Sequence, residues 1–372
     1  MSEVHASRRT LLRERYAAAG AQAALVSHPA NVRYLCGAAP AGAVLLVGPA
    51  GADQDTLVCP AGPAVEPAAK HLDSELRVVA LPEEEPDAAV SAAGLAAAAG
   101  GVESLAVEEH HLSVARHRAV GARGAGLRLT DLARAVEQQR LVKDEEEISC
   151  LRVAAEIADQ ALGELLESIL VGRTERHLAL ELERRLIDHG ADGPAFPTMV
   201  GAGPNAGRFG HTPTDRRVEE GDFLCICLGA GYRGYRCEVG RTFVIGTTPA
   251  DWQIELYELV FAAQRAGREA LVPGTAYREV DRAARHVLDA AGYAEGFGGR
   301  IGHGVGLEID EDPRLSPSAM GKLDACVPVT VEPGVHLPGR GGVRIDDTLV
   351  VRSEADGGPE LLTITTKELL AL

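Results

Sequence analysis

The chain has 372 residues, 46 % of them hydrophobic and 24 % charged, which suits a globular protein burying its core in one large domain or two ordinary ones. Its formal net charge of −17 argues against nucleic acid or an anionic membrane surface as the main partner. No apolar run approaches the roughly 20 residues that span a bilayer, and the seven scattered cysteines read as free thiols in a reducing cytoplasm.

The first stretch, MSEVHASRRTLLRERYAAAG, mixes arginines with glutamates and lacks an apolar signal core, so it predicts a helix and not a targeting peptide. AALVSH (23–28), AVLLVGP (43–49) and SLAVEE (104–109) predict buried strands, with helical patterns between them. The alanine-rich AAVSAAGLAAAAGG predicts a single helix and its C-terminal stop. This alternation makes residues 1–137 an α/β domain.

A long helix follows. Ile148, Leu151, Ala155, Ala158, Leu162, Leu165 and Ile169 fall at steps of three and four and form one apolar stripe. KDEEE before it puts acids in the first turn, where the helix dipole favours them. The second domain is therefore taken as 138–372.

Two related halves are visible in it. VGRTERHLALELERRLIDHG (171–190) reads as a turn, a Thr174 N-cap, an amphipathic helix and a Gly190 stop. VPGTAYREVDRAARHVLDAAG (272–292) repeats the plan with Thr275 and Gly292. A long helix precedes each copy (146–170 and 252–271) and a strand pair follows it.

The strand pairs carry the chemistry. A symmetric turn in DFLCICLGAGYRGYRCEVGRT, centred between Tyr232 and Arg233, sets Cys227 opposite Glu238. A turn centred on Gly339 in VTVEPGVHLPGRGGVRIDDTLVV sets Glu332 opposite Asp346. A pseudo-twofold arrangement brings both pairs together, and His303, flanked by glycines in GRIGHGVGLEIDEDP, can approach them closely. Such a pocket has two physical uses. It can hold a divalent ion that lowers the pKa of a water for hydrolysis. Without metal, crowded carboxylates raise one another's pKa, so that one serves as acid and another as base. Arg314 and Arg344 lie beside it in sequence, as anchors for a substrate carboxylate or as structural ion pairs.

HPANVRYLCG (28–37), RLVKDEEEISCLRVAAEIAD (140–159), GPNAGRFGHTPTDRRVEEGD (203–222), GHGVGLEIDEDPRLSP (302–317), VEPGV (331–335) and GGVRIDDTLVV (341–351) occur in an order that resembles the creatinase, aminopeptidase P and prolidase family. The resemblance covers nearly the whole chain. It implies an α/β N-terminal domain, an α+β pita-bread C-terminal domain with an internal pseudo-twofold repeat, and a homodimer. It also implies hydrolysis of a C–N bond in a small-molecule or short-peptide substrate.

The family's five metal ligands, Asp, Asp, His, Glu and Glu, fall on Cys227, Glu238, His303, Glu332 and Asp346. Only the histidine and the first glutamate are unchanged. The family's substrate-pocket histidine falls on Gly210, with His211 one place later, and its second histidine falls on Asp310. A thiolate suits Zn²⁺ better than the harder Mn²⁺. By resemblance to creatinase, which works without metal, the expected site is diverged and metal-free. His211 or His303 would then move protons, Glu238 and Glu332 would orient or polarise the substrate, and Asp310, Arg314 and Arg344 would bind it. Two alternatives stand beside this: a metal-dependent Xaa-Pro aminopeptidase or dipeptidase with an altered site, and a catalytically silent binding member.

Overall fold

The computed structural model describes residues 2–49, 55–60, 76–85, 87–168, 170–293, 297 and 299–372. Ile169, the last residue of the apolar stripe, lies outside them. The chain divides into two compact units, Met1–Arg140 and Leu141–Leu372.

The first unit begins with α1 (Ser2–Ala18), β1 (Ala23–Val26), α2 (Pro29–Cys36) and β2 (Val44–Val47). β3 (Thr56–Cys59), β4 (Arg77–Ala80), α3 (Ala88–Ala98) and β5 (Ser104–Val107) follow. It ends with α4 (Val114–Arg123), β6 (Arg128–Asp131) and α5 (Ala135–Arg140). Its six strands form one mixed sheet in the order β4-β3-β2-β1-β5-β6. The three strands expected from apolar runs are present as β1, β2 and β5, all nearly free of exposed residues. β4 and β6 are edge strands with exposed residues and carry no such run. The alanines of α3 pack on the sheet, where small side chains permit close approach.

The second unit opens with α6 (Glu145–Leu166), capped by a reciprocal box in which Asp144 accepts from the Glu147 N–H and Glu147 from that of Asp144. Ile148, Leu151, Ala155, Ala158, Leu162 and Leu165 are fully buried, as their spacing demands. α7 (Glu175–Asp188) starts at Thr174, whose hydroxyl accepts from the His177 N–H at 3.2 Å. Its counterpart in the other half, α9 (Tyr277–Ala290), follows α8 (Asp251–Glu269). The repeat is inexact at its cap: Ala276, not Thr275, occupies the N-cap of α9, and no side chain caps it. Gly190 and Gly292 end the two helices with left-handed φ values of 95° and 83°.

β7 (Gly193–Pro194), β10 (Ala230–Tyr232) and β11 (Tyr235–Arg236) make a small sheet in the order β11-β10-β7, and β8 (Met199–Ala202), β9 (Phe223–Leu228) and β12 (Val239–Val244) make another, β12-β9-β8. β13 (Gly302–Gly304), β14 (Glu311–Leu315), β15 (Pro328–Val331), β18 (Asp347–Val350) and β19 (Glu360–Leu361) make another, in the order β14-β13-β15-β18-β19. A separate hairpin pairs β16 (Gly334–Leu337) with β17 (Gly341–Arg344). α6 and α7 cover one apolar cluster, α8 and α9 the other. Among the described residues no helix is long and apolar enough to cross a membrane, and all seven cysteines are free.

Candidate active site

The first strand pair turns one residue later than its sequence suggests. Tyr232 pairs with Tyr235 and Gly240 with Cys227, so the turn is Arg233–Gly234. Both turn residues have positive φ, 48° and 82°, as a tight two-residue hairpin turn requires. Cys227 is therefore opposite Gly240, not Glu238. Glu238 sits two residues away along that strand, and both side chains still line one cavity. In the second pair, Val331 faces Asp347 and Gly334 faces Arg344, so the expected register of Glu332 with Asp346 holds between them.

The halves meet at Gly240 and Asp346, which exchange N–H to carbonyl bonds of 3.0 Å in both directions. A Cβ on Gly240 would lie 2.6 Å from the Asp346 Cβ and 3.1 Å from the Cys227 Sγ, so this junction has no space for a side chain. The glycines around His303 have the same role. A Cβ on Gly302 would lie 1.9 Å from the Thr330 carbonyl oxygen, and one on Gly304 2.2 Å from that of Asp312. A register shift between His303 and Gly304 re-aims the strand there.

His303 Nε2 lies 3.5 Å from Glu238 Oε1 and 3.4 Å from Glu332 Oε1. These three side chains each offer a ligand atom within 4.8 Å of the others. The ring's Nδ1 faces the Gly304 carbonyl at 3.0 Å, so the proton belongs on Nδ1 and the Nε2 lone pair points at the two carboxylates. Lone pair against carboxylate is repulsive unless a proton or cation lies between them.

Arg344 enters the cluster from β17. Its Nη2 donates to Glu332 Oε2 and, at 3.2 Å, to Asp346 Oδ2. Buried Glu238 Oε1 and Asp346 Oδ1 have no hydrogen-bond partner. Burial, and then the Glu332 charge, raise Glu238 to a pKa of about 8. Burial and the Glu238 charge raise Asp346 well above the usual carboxylate range. A hydrogen bond with Cys225, and then burial, push the Cys227 thiol well up, so it stays protonated and a poor ligand.

The cavity around this cluster has a volume of about 960 Å³. His211 lines it and is held by Glu175, whose Oε2 lies 2.9 Å from His211 Nε2. Glu175 is fully buried at the start of α7 and also accepts from Thr214, Ala202 and Asn205. Asp310 pairs with Arg300 at 2.5 Å on the rim. Arg314 pairs with His303 in the sheet register, and its exposed side chain also lines the cavity. Sequence reasoning missed Glu175, Arg300, Phe209 and His336. The last two lie on the cavity wall with ring centroids 5.6 Å apart, edge to face. HTPTD after a helix pattern that opens on a glutamate was the available signal for Glu175; none existed for the aromatic wall.

Residues 149–353 match the family described as metallopeptidase family M24, and residues 8–142 match the creatinase/prolidase N-terminal domain. The chain is 39 % identical over 235 residues to a Pyrococcus furiosus Xaa-Pro dipeptidase, covering 63 % of this chain and 66 % of that one. It is 35 % identical to an uncharacterized peptidase of Bacillus subtilis, over 73 % of this chain and 76 % of that one. Among solved structures, an Xaa-Pro dipeptidase from Bacillus anthracis superposes with a TM-score of 0.90 at 30 % identity, over 99 % of this chain and 100 % of that one. The prolidase from Pyrococcus horikoshii superposes at 0.88 and 31 %, over 98 % and 99 %. With its creatinase-type N-terminal domain and a pita-bread second domain whose own two halves meet at Gly240 and Asp346, the chain belongs to metallopeptidase family M24.

Proposed function

We propose that this protein hydrolyses the C–N bond of a short, Xaa-Pro-like peptide at a site that holds one divalent ion between Glu238, His303 and Glu332. This departs from the metal-free expectation, and one observation carries it: the buried, unpartnered Glu238 Oε1 faces the lone pair of His303 Nε2. Charge counting supports a single ion. Glu238, Glu332 and Asp346 contribute three negative charges when ionised and Arg344 one positive charge. The remaining two match one divalent ion, and buried charge is costly unless matched. The donors do not suit a second ion, because Cys227 is a protonated thiol and Arg344 already holds one oxygen of Asp346. An ion at the three-ligand position would polarise the scissile carbonyl and lower the pKa of a neighbouring water.

The chain's own groups supply the rest. His211, with Nε2 fixed by Glu175, keeps its ring turned to the cavity for proton transfer. Arg314 binds the substrate carboxylate, and the Arg300–Asp310 pair shapes the rim. The Xaa-Pro dipeptidases among the relatives support the peptide class.

Elemental analysis of protein purified without chelator, with Xaa-Pro dipeptide assays with and without Mn²⁺, tests this. About one ion per chain and ion-dependent cleavage are expected. Cleavage without any ion would restore the metal-free reading, two ions would refute the charge count, and neither ion nor cleavage would favour a binding protein.

The ion-free protein gives a second check. Glu238 has a folded pKa of about 8, above its ordinary 4.5. Its stabilising contribution is therefore complete below that ordinary value and lost as pH rises through the folded one. The Tm of chelator-treated protein should fall as pH rises from about 4.5 to about 8 and level off above that, and a divalent ion should flatten the fall. A pH-independent Tm in chelator would show that Glu238 is compensated by some other group.

A further inference from the structure

His336 stands on the cavity wall four residues beyond Glu332, and the ligand set does not use it. It belongs to β16, facing Gly342 of β17. Three contacts fix its ring. Nδ1 faces the Ala206 carbonyl at 3.4 Å. Phe209 meets the ring edge to face at a centroid distance of 5.6 Å. Nε2 lies over Gly334, where a Cβ would come within 3.5 Å of it. The carbonyl places the proton on Nδ1. Nε2 thus carries a lone pair on the face that Gly334 shares with the cavity. Burial, more than the opposing pull of the Ala206 hydrogen bond, keeps His336 below its ordinary range and hence neutral.

The carboxylates around the cavity are already committed. Glu332 is held by Arg344, Asp310 by Arg300, and Glu175 by His211 and its neighbours. Glu238 is a ligand of the ion in the reading above. A substrate N–H that reaches this wall therefore finds the imidazole Nε2 as its strong side-chain acceptor. A neutral ring suits a cationic donor such as a primary ammonium, since hydrogen bonds from charged donors are the stronger kind. Phe209 is largely exposed on the same wall and offers an apolar face next to that acceptor.

We propose that His336 is a specificity-determining residue of this site, whose Nε2 accepts a hydrogen bond from the free amino group of the substrate while Phe209 covers the side chain beside that amine. The inference rests on the peptide-hydrolase reading above and narrows it to substrates with a free amine.

The test pairs an aminoacyl-proline dipeptide with the matched acyl-proline that lacks only the amine, assayed on the ion-loaded protein. Wild type should prefer the amine by at least about 10-fold in kcat/KM, the scale of a hydrogen bond to a charged group. His336→Phe should reduce that preference to under about 3-fold, mainly through KM and with the ion content unchanged. His336→Gln, whose Oε1 is also an acceptor, should recover part of the preference and shows that loss in the Phe variant is not a folding defect. Undiminished amine preference in both variants, or none in wild type, overturns the assignment of His336. If wild type cleaves neither compound, the hydrolase reading fails. Calorimetric binding of the same two compounds to wild type and both variants then decides the His336 contact by the same ratios.

Discussion

Gly240→Ala is expected to lower the Tm by about 6–12 °C, the shift that corresponds to about 3 kcal/mol in a unit of this size. Gly240 does not need glycine for its backbone, because its φ is not in the left-handed region. It needs glycine for space. The added methyl would meet the Asp346 Cβ at 2.6 Å and the Cys227 Sγ at 3.1 Å, and neither neighbour is the far end of a flexible chain. Asp346 is tied to Gly240 through reciprocal backbone bonds, so relieving the clash means separating the two halves where the ligand residues converge. Gly231→Ala is the matched control in the same strand pair. A Cβ there meets the Gly193 carbonyl oxygen at an ordinary 3.4 Å, and removing a glycine from the unfolded ensemble is mildly stabilising. Calorimetry on both variants checks the argument. Equal Tm values would mean that Gly240 and Asp346 do not touch in solution.

The residues that build this junction were legible to different degrees, for physical reasons. The register of Glu332 with Asp346 could be read directly, because Gly339 with φ 79° centres a turn between two short strands and no residue is inserted. The first pair could not be, because an arginine adopts the left-handed φ of 48° that sequence reasoning assigns to glycine. The expected and observed registers place Cys227 opposite Glu238 and Gly240 respectively, two residues apart. A shift of two preserves the face, which is why Cys227 and Glu238 share the cavity although they are not opposed. Thr174 was readable as a cap and its counterpart Thr275 was not, because helix α9 starts one residue later than the repeat places it. Arg344 carried a charge next to the site in sequence, but its direction into the carboxylates depends on the hairpin's side-chain alternation and on burial that only the fold supplies. The Glu175 carboxylate accepts from groups 27 or more residues away, His211 among them, and His336 Nδ1 faces a carbonyl 130 residues away, so no local pattern records those contacts.

Cys227→Asp is expected to destabilise the ion-free protein by about 3–5 kcal/mol, the range for an uncompensated buried charge. The substitution adds a fourth carboxylate to the cluster of Glu238, Glu332 and Asp346, which has one guanidinium for balance. Position 227 is almost fully buried, so water cannot screen the new charge. Divalent ion should reverse the effect, since an ion at about 100 to 1,000 times its Kd stabilises by about 3–4 kcal/mol. The Tm gap between chelated and Mn²⁺-loaded protein should therefore be wider in the variant than in wild type, and the ion count should rise from about one to about two per chain. Peptidase activity is not expected to rise in step. Relative to the family's Asp and Glu, Glu238 is one methylene longer and Asp346 one shorter, so the two ions would not take the separation that a shared substrate needs. An identical Mn²⁺ response in both proteins would show that position 227 does not face the ion. Robust peptidase activity from this single change would show that the other two length changes are neutral, and that the cysteine alone separates this site from a two-ion peptidase.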